Sequence, residues 1–174
     1  MKTSINIFLV ASIALMMFAL YMYNEEKNQV VQLQQKFREN EKQCIVTALY
    51  HEARGEGEFG MKAVANVIDN RYRHPNYPDS YCGVINQRKQ FSYTLEDKPQ
   101  GKELKQMQKV KQSQESFEIA ERIADDMLDN KLQKFLPENT LHYAKTSVKN
   151  YWTKTKKVVA RIGNHSFYVE KEKK

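Results

Sequence analysis

The chain has 174 residues, 41% of them hydrophobic and 11% aromatic, which is length enough for one domain with its own core and ordinary for a globular protein. Its formal charge is +7, and nearly all of the excess falls late, where nine Lys/Arg between His142 and Lys174 face only Glu170 and Glu172. Internal repeats and Pro/Gly/Ser-rich linkers are absent, which excludes a repeat or low-complexity architecture.

From the N-terminus, Ile5 to Tyr23 carries no charge, and only Asn6 and Ser12 are clearly polar interruptions. Such a run predicts one transmembrane helix across a core of about 30 Å. Large residues stand where an A-x-A-like cleavage site belongs, so an uncleaved signal anchor over 5–23 is expected rather than a removed leader. Lys2 lies in the short segment 1–4 before it, which places the N-terminus in the cytoplasm and the rest in the periplasm or outside. Export makes nucleic acid an unexpected partner, although the late basic patch attracts polyanions in general. Residues 24–41 are polar and mixed in sign, and read as a helical or flexible tether.

Periodicity tightens from Lys42. Cys44, Ile45, Ala48 and Leu49 form a helical apolar face ended by Gly55 and Gly57. Phe59, Ala63, Val64, Val67 and Ile68 form a second helix closing at Arg71-Tyr72-Arg73-His74-Pro75. Pro75 to Pro78 reads as a loop, Tyr81 to Ile85 as a short helix or extended segment, and Gln87 to Thr94 as irregular. Phe117, Ala120, Ile123, Ala124, Met127 and Leu128 form a third helix. Val158, Val159 and Ile162, a Gly163-Asn164 turn, and Phe167, Tyr168 and Val169 predict a β-hairpin. The fold class is mainly α (α+β), with catalytic residues in a domain over 42–170 and a charged tail over 171–174. Cys44 and Cys82 are compatible with one disulfide or with two buried thiols.

The densest chemistry is Tyr50-His51-Glu52-Ala53-Arg54-Gly55-Glu56. Cys44, Ala48 and Glu52 are spaced i, i+4, i+8, so Glu52 ends an apolar helix face. A carboxylate there loses solvation and is suited to give up a proton near neutral pH. His51-Glu52 fails as a zinc-protease motif, because Gly55 stands where the second histidine belongs. No Cys/His ligand spacing, G-x-S-x-G elbow or phosphate loop is present, so neither a metal nor another cofactor is expected. Carboxylate chemistry remains, with Glu52 as general acid and Glu56 either a second acid or a residue serving the following helix.

Cys44 to Glu56, Gly60-Met61-Lys62-Ala63-Val64-Ala65-Asn66-Val67-Ile68-Asp69-Asn70-Arg71, Cys82-Gly83-Val84-Ile85 and Gln90-Phe91-Ser92 together resemble the SleB-like, spore-cortex-lytic family of cell-wall hydrolases. His142-Tyr143-Ala144, Tyr151-Trp152 and Ile162-Gly163-Asn164-His165-Ser166-Phe167-Tyr168 resemble that family's closing motifs, so the likeness runs from about residue 43 to 169. The resemblance implies a compact lysozyme-like, lytic-transglycosylase-related domain that cuts peptidoglycan glycan strands, with Glu52 matching the family's catalytic glutamate. It implies a cleft lined by Gln90, Phe91 and Ser92, with Tyr143 and Trp152 as aromatic platforms, His142 beside them, and Arg54 holding Glu52 or Glu56 or simply pairing at the surface. Transglycosylation with Glu52 as acid and then base needs one carboxylate; muramidase-type hydrolysis needs help from Glu56 or another acid. A non-catalytic, membrane-tethered wall-binding protein is the rival from another class. A monomer bound to peptidoglycan strands, and anchored through residues 5–23 in the manner of tethered phage endolysins acting on a host wall, completes the expectation.

Overall fold

A computed structural model describes residues 2–87 and 111–171, with side chains described for 9–87 and 114–171. It divides into two units, residues 1–39 and 40–174. The elements in order are helices α1 (Lys2–Ala53), α2 (Gly57–Tyr72), α3 (Tyr81–Ile85) and α4 (Lys111–Leu128), strand β1 (His142–Lys145), helix α5 (Tyr151–Thr155), and strands β2 (Lys157–Ile162) and β3 (His165–Val169).

The first unit consists of the N-terminal part of α1, so residues 24–39 are helical. Among the described residues no helix is long and apolar enough to cross a membrane, which corrects the expectation of a transmembrane anchor over 5–23. Asn24, Glu25, Glu26 and Lys27 follow residues 5–23 directly.

In the second unit the end of α1 buries Ile45, Val46, Ala48, Leu49, Tyr50 and Ala53 against Met61, Ala63, Val64, Ala65, Val67 and Ile68 of α2. Phe117, Ala120, Ile123, Ala124 and Met127 of α4 close the same core, at the spacing that puts them on one helical face. After α1, Gly57 takes a φ of +67°, a left-handed conformation that a glycine adopts without strain. Asn130 does the same work after α4, with φ +57°, while the amides of Lys131 and Leu132 return to the Asp126 carbonyl at 2.7 and 3.0 Å.

The segment read as either helix or extended is helical. Ser80 caps α3 by accepting from the Gly83 amide at 3.0 Å. Glu41, only 4% exposed, accepts the amides of Tyr81 at 2.6 Å and Cys82 at 3.2 Å. Beside it Cys44 and Cys82 are joined as a disulfide. That cross-link ties the end of α1 to α3 across 38 positions of chain, a constraint on the unfolded state of roughly 3–4 kcal/mol.

The expected hairpin is present as β2 and β3, turning at Gly163 with φ +54°. Strand β1 was missed from the sequence. It pairs with the other edge of β3, giving an antiparallel sheet in the order β1-β3-β2 with a bulge between Val158 and Ala160. Four residues, three half-buried and the last exposed, carry too little alternation to announce a strand.

Candidate active site

Strand β1 is held in place by polar side chains of α2. Asn66, fully buried, gives its amide to the Gln133 carbonyl at 3.1 Å and accepts from the Phe135 and Leu136 amides at 3.0 and 3.3 Å. One turn on, Asn70 donates to the carbonyls of Pro137 at 2.9 Å and Thr140 at 3.2 Å. Arg71 then donates from Nε to the Leu141 carbonyl at 2.8 Å. Three α2 residues thereby satisfy a stretch of backbone that no ladder serves, which is what a buried loop requires. The same contacts deliver the chain into β1 at a fixed place.

Tyr143, the second residue of β1, donates its hydroxyl to Glu52 Oε2 at 3.1 Å. Glu52 is half-buried on the last turn of α1. Arg71 lies behind the pair and is buried. Burial pushes its guanidinium below the usual value, and the nearby Tyr143, Tyr77 and Glu52 push it back.

Glu56 has a different setting. It stands at the N-cap of α2, yet its side chain makes no cap hydrogen bond there. Its carboxylate instead crosses to the β2–β3 turn, accepting the Asn164 amide at 2.7 Å on Oε2 and the Asn164 side chain at 3.1 Å on Oε1. His165 Nδ1 stands 3.9 Å from Oε1. A Cβ on Gly163 would fall 1.9 Å from Oε2, and one on Gly60 would fall 2.3 Å from the Glu56 Cβ. Both glycines therefore leave the space that this side chain needs. The His165 imidazole packs edge-on against Tyr143 at 5.4 Å. Burial lowers its pKa, and Glu56 acts against that shift.

The structure thus joins Glu52, Tyr143, His165 and Glu56 in one contiguous group, with Arg71 behind. Arg54 lies elsewhere: it is exposed, with its guanidinium over the Tyr50 ring at 5.1 Å. His142 and Trp152 lie on the opposite face of β1 from Tyr143, as neighbours in a strand must. Trp152 is half-buried, edge-on to Tyr168 at 5.4 Å and tilted against His142 at 6.0 Å. His142 Nε2 contacts Glu170 at 3.2 Å, and burial lowers its pKa. Gln90, Phe91 and Ser92 fall outside the described residues. Sequence reasoning assigned no site role to Arg71, Asn164 or His165, although they stand inside the N-R and G-N-H-S-F-Y motifs that carried the family likeness.

A family model described as Cell Wall Hydrolase matches residues 55–168. The chain belongs to this family. The likeness read from the motifs is thereby borne out, and the matched span takes in Glu56, Arg71, Tyr143 and His165 but begins after Glu52. The spore cortex-lytic enzyme of Halalkalibacterium halodurans is 47% identical over 49 residues, covering 28% of this chain and 15% of that protein. For the spore cortex-lytic enzyme of Bacillus subtilis the figures are 45% over 49 residues, 28% and 16%. The matched stretches span about a sixth of the length of these relatives. Among solved structures, the catalytic domain of the germination-specific lytic transglycosylase SleB from Bacillus anthracis superposes with a TM-score of 0.53 at 25% identity, covering 74% of this chain and 93% of that one. The fold is SleB-like, and the chain is a cell-wall hydrolase by family.

Proposed function

We propose that the chain cleaves peptidoglycan glycan strands between N-acetylmuramic acid and N-acetylglucosamine, by lytic transglycosylation at Glu52. The observation that carries this reading is the division of labour between two neighbouring carboxylates. Both oxygens of Glu56 are engaged by Asn164, whereas Glu52 meets a tyrosine hydroxyl at 3.1 Å in a half-buried position. A retaining or inverting hydrolase uses two working carboxylates. A transglycosylase needs one, because the substrate supplies its own nucleophile.

Glu52 as the acid gives its proton to the glycosidic oxygen as the bond to the anomeric carbon breaks. The resulting carboxylate takes the proton of the muramyl C6 hydroxyl, whose oxygen closes onto the anomeric carbon. A 1,6-anhydro end is left, and Glu52 is again protonated, so no water is consumed. Tyr143 orients the carboxyl throughout, and Arg71 steadies the charged form between the two steps. Glu56 acts as a positioning residue: it fastens the loop after α1 to the β2–β3 turn, which keeps Glu52 and Tyr143 in register. The Cys44–Cys82 disulfide supports a working place outside the reducing cytoplasm, with residues 42–170 as the catalytic portion.

Mass spectrometry of fragments released from purified sacculi tests the assignment. Anhydro-muropeptides are expected from the wild-type chain and none from Glu52→Gln; fragments with ordinary reducing ends replace transglycosylation by hydrolysis.

A further inference from the structure

Ten consecutive residues, Lys145 to Lys154, contain three lysines and no acid. They connect β1 to α5 and include its first four residues. All are exposed except Trp152 and Thr153, which are half-buried. Tyr151 is 84% exposed and Val148 is 40% exposed, so this arm holds out an aromatic ring where burial is the usual fate of large side chains.

The arm is a built feature. At its root the Thr146 amide donates to the Asn164 carbonyl at 2.7 Å, and the Thr146 and Ser166 hydroxyls meet at 3.0 Å. The Val148 amide returns to the Lys145 carbonyl at 2.8 Å. Asn150 caps α5, accepting the Thr153 amide at 3.1 Å. Lys145, Lys149 and Lys154 form no ion pair with any described carboxylate, so their charge is presented to solvent.

Position ties the arm to the site. Lys145 pairs across the ladder with His165, and Tyr143, two residues earlier, pairs with Phe167. Lys145 and Tyr143 therefore share one face of β1, the face on which Tyr143 reaches Glu52. The positive charge of Lys145 is felt at His165. A polymer lying against Glu52 and Tyr143 has this arm at the edge of its path.

We propose that the 145–154 arm is a second contact surface for the substrate, gripping the peptide-bearing glycan strand beyond the bond that is cut. Tyr151 stacks on a sugar face, and Lys145, Lys149 and Lys154 pair with the carboxylates of the stem peptides. This rests on the glycan-strand reading above and adds to it what is held away from Glu52. Charge complementarity selects the occupant, since three cations that pair with no described carboxylate, beside an exposed ring, match alternating sugars and carboxylates. The place of Lys145 on the Tyr143 face of β1 selects the peptidoglycan strand over a separate anionic polymer.

The test is sedimentation of the full-length Glu52→Gln chain with purified sacculi stripped of phosphate-bearing polymers, so that binding is read without turnover. The triple change Lys145→Gln, Lys149→Gln and Lys154→Gln, made in that background, is expected to weaken binding tenfold or more and to flatten its salt dependence. Tyr151→Ala is expected to weaken it several-fold, and amidation of the stem-peptide carboxylates to match the loss in the triple variant. All altered positions are exposed, and an unchanged melting temperature certifies the fold. Binding of the triple variant equal to its parent overturns the proposal, as does binding that disappears once phosphate polymers are stripped. Fragment release by the wild-type chain is followed alongside. Its absence with charge-dependent binding intact sinks the catalytic reading alone, and release without charge-dependent binding sinks only the arm.

Discussion

Two carboxylates on neighbouring helices, Asp69 on α2 and Glu52 on α1, are treated in opposite ways by the same fold. Asp69 has a side chain only 1% exposed. It takes the Tyr81 hydroxyl at 2.5 Å, Arg73 Nε at 2.8 Å, and the Lys134 ammonium. Burial alone would raise its carboxyl, and the hydrogen bonds from Arg73, Lys134 and Tyr81 outweigh it, holding the group below the usual carboxylate range. Its proton is gone and its oxygens are committed, so Asp69 fastens α2 to α3 and to the segment after α4. Glu52 is half-buried, near a hydroxyl and a buried guanidinium. The lesson is that burial of an acid does not by itself mark chemistry: Asp69 is buried deeper than Glu52 and serves to fasten three segments together.

The largest effects come from exchanging each acid for its amide. Glu52→Gln is expected to lower fragment release from sacculi by about 10³-fold, the range for loss of a general acid, while the melting temperature stays within a few degrees. Asp69→Asn should do the reverse: a loss of roughly 3 kcal/mol in chemical denaturation, with the surviving folded protein still active. Equal damage to stability in both variants breaks the comparison.

Smaller, and specific to the Glu52 side, is Tyr143→Phe. It removes one hydroxyl from a carboxyl and leaves the ring against His165 and Phe167. A hydrogen bond of this kind is worth about 1 kcal/mol, so kcat should fall about fivefold with KM and melting temperature nearly unchanged. A fall in stability without a change in kcat would make Tyr143 a packing residue and leave Glu52 oriented by something else.

How far the sequence announced this arrangement follows from which forces are local. The helix faces around Cys44 to Leu49, Phe59 to Ile68 and Phe117 to Leu128 were legible because burial imposes a period that one strand of text displays. The Gly163-Asn164 turn was legible because few residues tolerate its backbone. The disulfide stayed open, since two cysteines say nothing of distance. Strand β1 was hidden by its weak alternation, and the Asn66, Asn70 and Arg71 contacts that place it by partners more than 60 residues away. Glu56 was the harder lesson: its neighbourhood on the chain suggested either a second acid or service to α2, and nothing there announced its contact with a turn 108 residues downstream. An apolar run also misled over 5–23, where composition alone suggested a membrane span.

The smallest effect expected is one of pH, and it sharpens the contrast from the histidine side. His165 is 4% exposed, between Tyr143 and Glu56. Burial lowers its pKa, the Glu56 carboxylate raises it, and Lys145 lowers it. With the native value below the ordinary 6.5, the unfolded chain binds the proton first as pH falls. Stability from this group is therefore complete above about pH 6.5 and declines below it, until the native value is passed. Replacement of His165 by Gln should flatten that part of the denaturation profile. His142, also lowered chiefly by burial, adds a slope of the same sign, so the Gln variant keeps a residue of the decline. A steeper loss of stability on the acid side in the variant would mean that His165 is held protonated by Glu56, and that the turn is fastened by an ion pair.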